Sequence, residues 1–257
     1  MKIWSTRLYK EEIKREETAG TAKEKRSFPM LSLPKSLIFF SMPFSPEWWI
    51  IAEEHPFVSK NPSEGAGMKV SSWEARQPSM KFLIGSDIHG SFPCARKFFE
   101  KSSLHGCGKI VVLGDFFYNG ARNVPPEGYG PREVVRLVNS YADRLIAIKG
   151  NCESEVDQTV ADFLFSEVAC VYAYGKTFFF THGHHYSFEN LPKNPGDVFF
   201  QGHTHIGLLE RKGDLILANP GSISLPKDGR RSYMVMDEKG IALYCLDDDS
   251  LLKRLDF

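Results

Sequence analysis

Three times between positions 82 and 151 a short apolar run stops beside a glycine and gives way to an Asp or Asn: FLIGSD, IVVLGD and IAIKGN. Runs this short, rich in β-branched residues and without polar alternation, are expected of strands buried on both faces. Helical spacing fills the gaps between them. Residues 91–105 place Phe92, Ala95, Phe98, Phe99 and Leu104 on roughly one face, with Ser91 and Pro93 as a start signal. A second helix beginning at Pro131 carries Val134, Val135, Leu137, Val138 and Tyr141 on its apolar side. Strands over residues 82–84, 109–113 and 144–148 alternating with helices imply right-handed crossovers and a largely parallel sheet. Ligands bind at the carboxyl ends of such strands, and that is where Asp87, His89, Asp115 and Asn151 fall.

The second half has a different rhythm. Residues 168–174 and 177–181 flank Gly175-Lys176 as a hairpin-like pair, and the second run ends in His182-Gly183-His184-His185. A short strand over 197–201 is followed by Gly202-His203-Thr204-His205. Runs at 208–211, 215–218, 232–236 and 241–246 read as antiparallel strands separated by turns containing Gly and Asp. Together the halves imply an α/β fold, a four-layer α/β/β/α sandwich of two mixed β-sheets flanked by helices. No repeat of fixed period interrupts this pattern.

The 32 basic and 32 acidic residues cancel, which argues against an extended nucleic-acid surface or capture by an anionic membrane. Five cysteines without C-x-x-C spacing suggest neither a disulfide framework nor a zinc knuckle, and fit a reducing cytoplasm. Residues 1–79 are set apart: they hold all four tryptophans and no aspartate. Their stretch 10–17 is mixed charge, and 59–79 is rich in Gly, Pro and Ser. The apolar stretch 37–51 is broken by Pro43, Pro46 and Glu47, well short of the ~20 apolar residues that span a bilayer. A membrane-surface or partner-binding role for it stays open. Residues 1–79 are expected to be a poorly structured extension or a start-site artefact, with Met68 and Met80 as internal starts, and residues 80–257 to form the catalytic domain.

Five strand ends thus present Asp87 with His89, Asp115, Asn151, His182, and His203 with His205. A single Asp-x-His or Gly-Asp is an ordinary loop. Seven oxygen and imidazole donors at five strand ends exceed the needs of one metal and suit two metals sharing a carboxylate. Asp115, alone at its strand end, is the natural bridge.

The blocks Asp87-Ile88-His89, Gly114-Asp115, Gly150-Asn151, His182 and Gly202-His203-Thr204-His205 occur in the order found in calcineurin-like metallophosphoesterases, and residues 80–257 resemble that family. The loop Asn119-Gly120-Ala121-Arg122-Asn123, the block 150–157 and Asn219-Pro220-Gly221-Ser222 look like the YfcE-type bacterial phosphodiesterases. The resemblance implies one ion held by Asp87, His89, Asp115 and His205, and another by Asp115, Asn151, His182 and His203. Manganese is favoured, with iron, zinc or magnesium as alternatives. It further implies hydrolysis of a small phosphodiester by a hydroxide bridging the two ions. A phosphomonoesterase, a nuclease with the same core, or a non-catalytic protein-interaction scaffold are the alternative readings, and a homo-oligomer is compatible with any of them.

Around the ligands, Arg122 is a candidate phosphoryl contact, and His184 a candidate substrate contact or orienting partner. His185 reads as a surface or packing residue. Many relatives carry His directly after the Asn, where this chain has Cys152. A thiol is a weak donor toward a leaving group, which favours esters whose leaving group departs unaided, such as aryl diesters.

Overall fold

The computed structural model describes residues 80–257 and, before them, the backbone of three strands, β1 (Ile3–Ser5), β2 (Leu37–Ser41) and β3 (Trp48–Ala52). β2 pairs antiparallel with β3 and with the strand over Val168–Ala173, so these pieces extend a sheet built by the second half of the chain. The remainder of the expectation for residues 1–79 lies outside the described residues.

From Phe82 the chain runs through β4 (Phe82–Gly85), α1 (Phe92–Leu104), β5 (Lys109–Val112), α2 (Pro131–Asn139), β6 (Leu145–Ile148), α3 (Glu155–Val160) and β7 (Phe165–Ser166). It continues as β8 (Val168–Ala173), β9 (Lys176–Thr181), β10 (Val198–Phe200), β11 (Gly207–Lys212), β12 (Leu215–Pro220), β13 (Ser232–Asp237), β14 (Gly240–Cys245) and β15 (Leu251–Asp256). One sheet has the order β15-β14-β13-β4-β5-β6-β7 and the other β1-β3-β2-β8-β9-β10-β12-β11. The expected parallel set β4-β5-β6 is present and gains β7. In the second sheet β12 is antiparallel to β11, as the run and turn pattern predicts, and pairs parallel with β10, a pairing that pattern leaves open. β10, whose three residues Val-Phe-Phe are buried on both faces, lies between β9 and β12 and so has a ladder partner on each side.

Burial explains why the strand runs are apolar without alternating. Phe82, Ile84, Val111, Ile146 and Ile148 face between the sheets and meet Phe178, Phe180, Val198, Phe200 and Ile216. Their neighbours Leu83, Ile110, Val112 and Ala147 point the other way, onto Ala95, Phe98 and Phe99 of α1 and Val134 and Val138 of α2. Successive residues of a strand face opposite sides, so each run feeds two cores, and each such side chain contributes about 1.5–3 kcal/mol by burial. On the far face of the second sheet, Phe179 and Phe199 stack at 5.4 Å with Leu217 and Val168 beside them. The result is an α/β sandwich of two mixed sheets in which α1 and α2 cover the seven-stranded one.

Several local expectations need correction. Leu104 is 62% exposed, because it lies in the last turn of α1, past the buried stripe. Ser91 has the extended backbone of an N-cap, but its hydroxyl donates to the carbonyl of Glu127 and so ties the helix start to the long loop. The tight turn between β8 and β9 is Tyr174-Gly175, both with positive φ, one residue earlier than read. α3 was not anticipated, although the Ser154/Asp157 capping box announces it.

Candidate metal centre

The ends of β4, β5, β6, β9 and β10 open at one rim of the sandwich, and all seven expected donors meet there. The loops after β4 and β5 are zipped together: Asp87 N–H donates to the Gly114 carbonyl (3.1 Å), His89 N–H to Asp115 (2.8 Å) and Gly90 N–H to Phe116 (2.9 Å). This clamp holds the backbone in a conformation that side chains resist. Asp87, His89, Asp115, His203 and His205 have φ of 57°, 48°, 56°, 66° and 60°, while among the other described non-glycine residues only Tyr174 and Asp249 are left-handed. Each such residue costs on the order of 1 kcal/mol or more, and strain of this kind gathers at functional sites.

Close approach is possible because of two glycines. A Cβ on Gly150 would strike Asp115 Oδ1, and one on Gly202 would strike Ser86 and lie 3.0 Å from Asp87 Oδ2. With both present, Asp87, His89 and His205 form one compact group and Asp87, Asp115 and His182 another, the donor atoms of each lying within 4.8 Å of one another. Asp115 Oδ2 is 3.6 Å from His89 Nε2 and 3.5 Å from His182 Nε2, midway between an imidazole of one group and an imidazole of the other. Asn151 Oδ1 lies 3.0 Å from His182 Nε2, and His203 Nδ1 3.2 Å from the same nitrogen.

The proton inventory of this cluster tests whether it suits cations. His89 Nδ1 donates to the carbonyl of Tyr118 (2.9 Å), His205 Nδ1 to that of Leu225 (2.6 Å) and His182 Nδ1 to that of Leu113 (2.6 Å). A carbonyl can only accept, so in each neutral ring Nε2 is a bare lone pair. Yet His89 Nε2 and His205 Nε2 face each other at 3.2 Å, and His182 Nε2 faces an amide oxygen. Asp87 Oδ1, fully buried, has no hydrogen-bond partner among the described residues. Lone pairs aimed at one another in a dry site are repulsive unless a cation lies among them, so the residues fit divalent ions.

Electrostatics agree. Burial would raise the Asp87 carboxyl, but the imidazoles of His205, His89 and His182 close around it outweigh burial and hold the group well below the usual carboxylate range. Burial and the neighbouring His182 push His203 down, keeping a lone pair available. Burial and then Asp115 push the Cys152 thiol up, so it stays protonated beside the central carboxylate. Its sulfur accepts from Asn151 Nδ2 at 3.4 Å, and its backbone N–H donates to Asp115 Oδ1 at 2.9 Å.

The other expected residues lie at the edge. The His184 ring is 5.3 Å from that of His182 and 6.4 Å from that of His203, adjacent to the cluster. Arg122 is exposed in the loop after β5, away from any hydrogen bond or ion pair with the described residues. Asn219 Nδ2 donates to the Gly202 carbonyl and to Thr204 (3.0 Å each), and Ser222 Oγ donates to the Asp87 carbonyl at 2.8 Å. The Asn-Pro-Gly-Ser turn therefore buttresses both the first and the last ligand loops.

One residue of weight was missed. Glu153, 8% exposed, accepts from the N–H groups of Gly150 (2.6 Å), Phe116 (2.7 Å) and Asp115 (2.9 Å), locking the loop after β6 to the loop after β5. Burial and the charge of Asp115 push its carboxyl up to about 7 against those three donors. Its only sequence signal was a carboxylate two residues after Asn151. The carbonyls of Tyr118, Leu113 and Leu225 had none, because a backbone acceptor leaves no mark on residue identity.

Comparison with known proteins agrees with this geometry. Residues 80–240 match the calcineurin-like phosphoesterase superfamily domain. The chain is 39% identical over 179 residues to phosphodiesterase YfcE of Escherichia coli K12, covering 68% of this chain and 97% of that protein. It is 27% identical over 156 residues to phosphodiesterase MJ0936 of Methanocaldococcus jannaschii, covering 55% and 83%. The solved structure of the E. coli phosphoesterase YfcE superposes with a TM-score of 0.67 at 39% identity, covering 69% of this chain and 99% of that one. A strained cluster of seven donors at five strand ends, a single domain match spanning them all and a relative aligned over nearly its whole length lead to one assignment: this chain belongs to the calcineurin-like phosphoesterase superfamily.

Proposed function

We propose that the protein hydrolyses small phosphoric diesters with two divalent metal ions, manganese the favoured one, held by Asp87, His89, Asp115 and His205 on one side and Asp115, Asn151, His182 and His203 on the other. The observation that carries this reading is the convergence of bare imidazole lone pairs and an unpartnered Asp87 oxygen around Asp115. The 39% identity to a phosphodiesterase supports the diester over the monoester. When bound, the ions supply Lewis acidity toward the phosphoryl oxygens and acidify the attacking water.

The chain's own residues do the rest. Backbone carbonyls of Leu113, Tyr118 and Leu225 fix the imidazole tautomers, and Glu153 fixes Asp115 relative to Asn151. Substrate enters over the exposed Asn151 and half-buried His203, with Arg122 reaching a phosphoryl oxygen and His184 bordering the leaving group. Cys152, a protonated thiol next to Asn151, offers weak help to a departing alkoxide. Aryl diesters are therefore the preferred class.

The test is a hydrolysis panel with added manganese: bis-p-nitrophenyl phosphate, cyclic nucleotides, nucleotides and simple monoesters. Turnover of the aryl diester above all others is expected. A chain that binds no transition metal and cleaves none of them is a protein-interaction scaffold. In the same panel, Cys152→His should raise alkyl monoesterase activity by about 10²-fold, the lower end of the usual range for a general acid. An unchanged rate would remove the thiol from the account of specificity. Equal numbers of acidic and basic residues keep the proposed substrate small, not polymeric. The five cysteines are free, as suits the proposed cytoplasmic location, and no helix among the described residues is long and apolar enough to cross a membrane.

A further inference from the structure

Next to the metal centre stands a second group of donors, of which the proposed chemistry uses only His184, as a border to the leaving group. Glu167, between β7 and β8, meets His184 and His185, which follow β9, and one donor atom from each lies within 4.8 Å of the others. We propose that these three residues form an outer site for a third divalent cation of zinc-like character, separate from the pair around Asp115.

Three observations point to a ligand. First, Glu167 Oε2 and His184 Nδ1 are buried and have no hydrogen-bond partner among the described residues, an arrangement that is unfavourable when nothing binds there. The other carboxylate oxygen, Oε1, faces Lys149 Nζ at 3.8 Å, so Oε2 is the one left for a ligand, and His185 Nε2 lies 3.8 Å from it. Second, the imidazoles of the consecutive residues His184 and His185 sit on the same side of the chain, with centroids 3.9 Å apart and planes 42° from parallel. The chain bends at these two residues after β9, which lets both rings turn toward Glu167. Third, a cavity of about 540 Å³ lined by Glu167, Val168, His185 and Tyr186 opens onto two of the three donors, giving an entry route and room for water ligands.

Two imidazoles and one carboxylate, with space for water, form a donor set that zinc accepts in four-coordinate sites. Magnesium and calcium prefer more oxygens. Lys149 adds a like charge, so the outer ion is held more weakly than the inner pair. His184 stands between the two sites, its ring 5.3 Å from the ring of His182, so an outer ion pins this side chain where the rim of the centre begins.

The test counts ions, not turnover. The full-length protein is equilibrated with a graded series of free Zn2+ and its total divalent metal per chain is measured by elemental analysis. Any exchange of zinc for manganese in the inner pair leaves that total unchanged. Three equivalents at saturation are expected, the third the weakest, and two equivalents for both His185→Gln and Glu167→Gln. His185 is 67% exposed, so its variant keeps the fold, which a thermal melt verifies. A saturating count of two for the unaltered protein, or of three for both variants, overturns the proposal. The inner pair and the diesterase reading are judged separately, by the retained equivalents and by hydrolysis of bis-p-nitrophenyl phosphate.

Discussion

The metal centre has a floor and a rim, and the two are built differently. Asp87, His89, Asp115, His182 and His205 form the floor, none more than 5% exposed, and its three imidazoles are each locked by a backbone carbonyl. Asn151, His203, His184 and Arg122 form the rim, half-buried or exposed, and no backbone carbonyl locks any of their side chains among the hydrogen bonds of the site. The floor has its geometry imposed by strand ends and left-handed turns. The rim keeps freedom to meet a ligand. The difference teaches that metal affinity is set by backbone architecture, while substrate choice is left to side chains that can change without disturbing it.

The largest effect that separates floor from rim is expected at Asp115. Asp115→Asn should lower kcat/KM on the aryl diester by about 10³-fold, the upper range for loss of one preorganised electrostatic element, and elemental analysis should show occupancy of both inner positions reduced. Loss of a single ion would show that Asp115 serves one position and break its central place in the floor. Glu153→Gln comes next. It keeps the shape but removes the charge that gathers three N–H groups, so inner metal affinity in a titration should fall about 10–100-fold, as for outer-layer partners of ligands. An unchanged affinity would mean that the loops hold themselves.

Arg122→Ala sharpens the comparison from the rim. Activity should fall about 10-fold, corresponding to one charge-assisted contact of about 1.5 kcal/mol, with bound metal unchanged. Any fall in metal content would place Arg122 among the floor residues. The smallest effect is expected from expressing residues 80–257 alone: hydrolysis within roughly twofold of the full chain, because every floor and rim residue lies after Met80. A collapse of activity, or aggregation through the freed edge of β8, would show that strands β1–β3 belong to the working enzyme.

How much was legible depends on where each instruction is written. Runs such as FLIG and IVVL announce strands because burial on both faces demands apolar residues at every position, and each donor announces itself by type and by its place after such a run. The parallel pairing of β12 with β10 was not legible, since Leu-Ile-Leu-Ala fits either direction and only the place of β12 between β10 and β11 in the folded sheet shows it. Glu153 carried a weak signal because a carboxylate after Gly-Asn reads as a surface turn until three N–H groups are found around it. The cluster of Glu167 with His184 and His185 was hidden for another reason. Glu167 is far from the histidines in sequence, and only the β8–β9 hairpin, with Val168 opposite Thr181, brings them together.

The donor inventory, its order along the chain and the strand ends that carry it are written in residue type and hydrophobic period, both local properties. The tertiary structure decided which donors face one another, which ring nitrogen is left bare, and which residues hold the loops. Those are matters of hydrogen-bond partnership between segments distant in the chain, as when Leu113 fixes the proton of His182 or Tyr118 that of His89. A carbonyl is the same in every residue, so that part of the design exists only once the chain has folded.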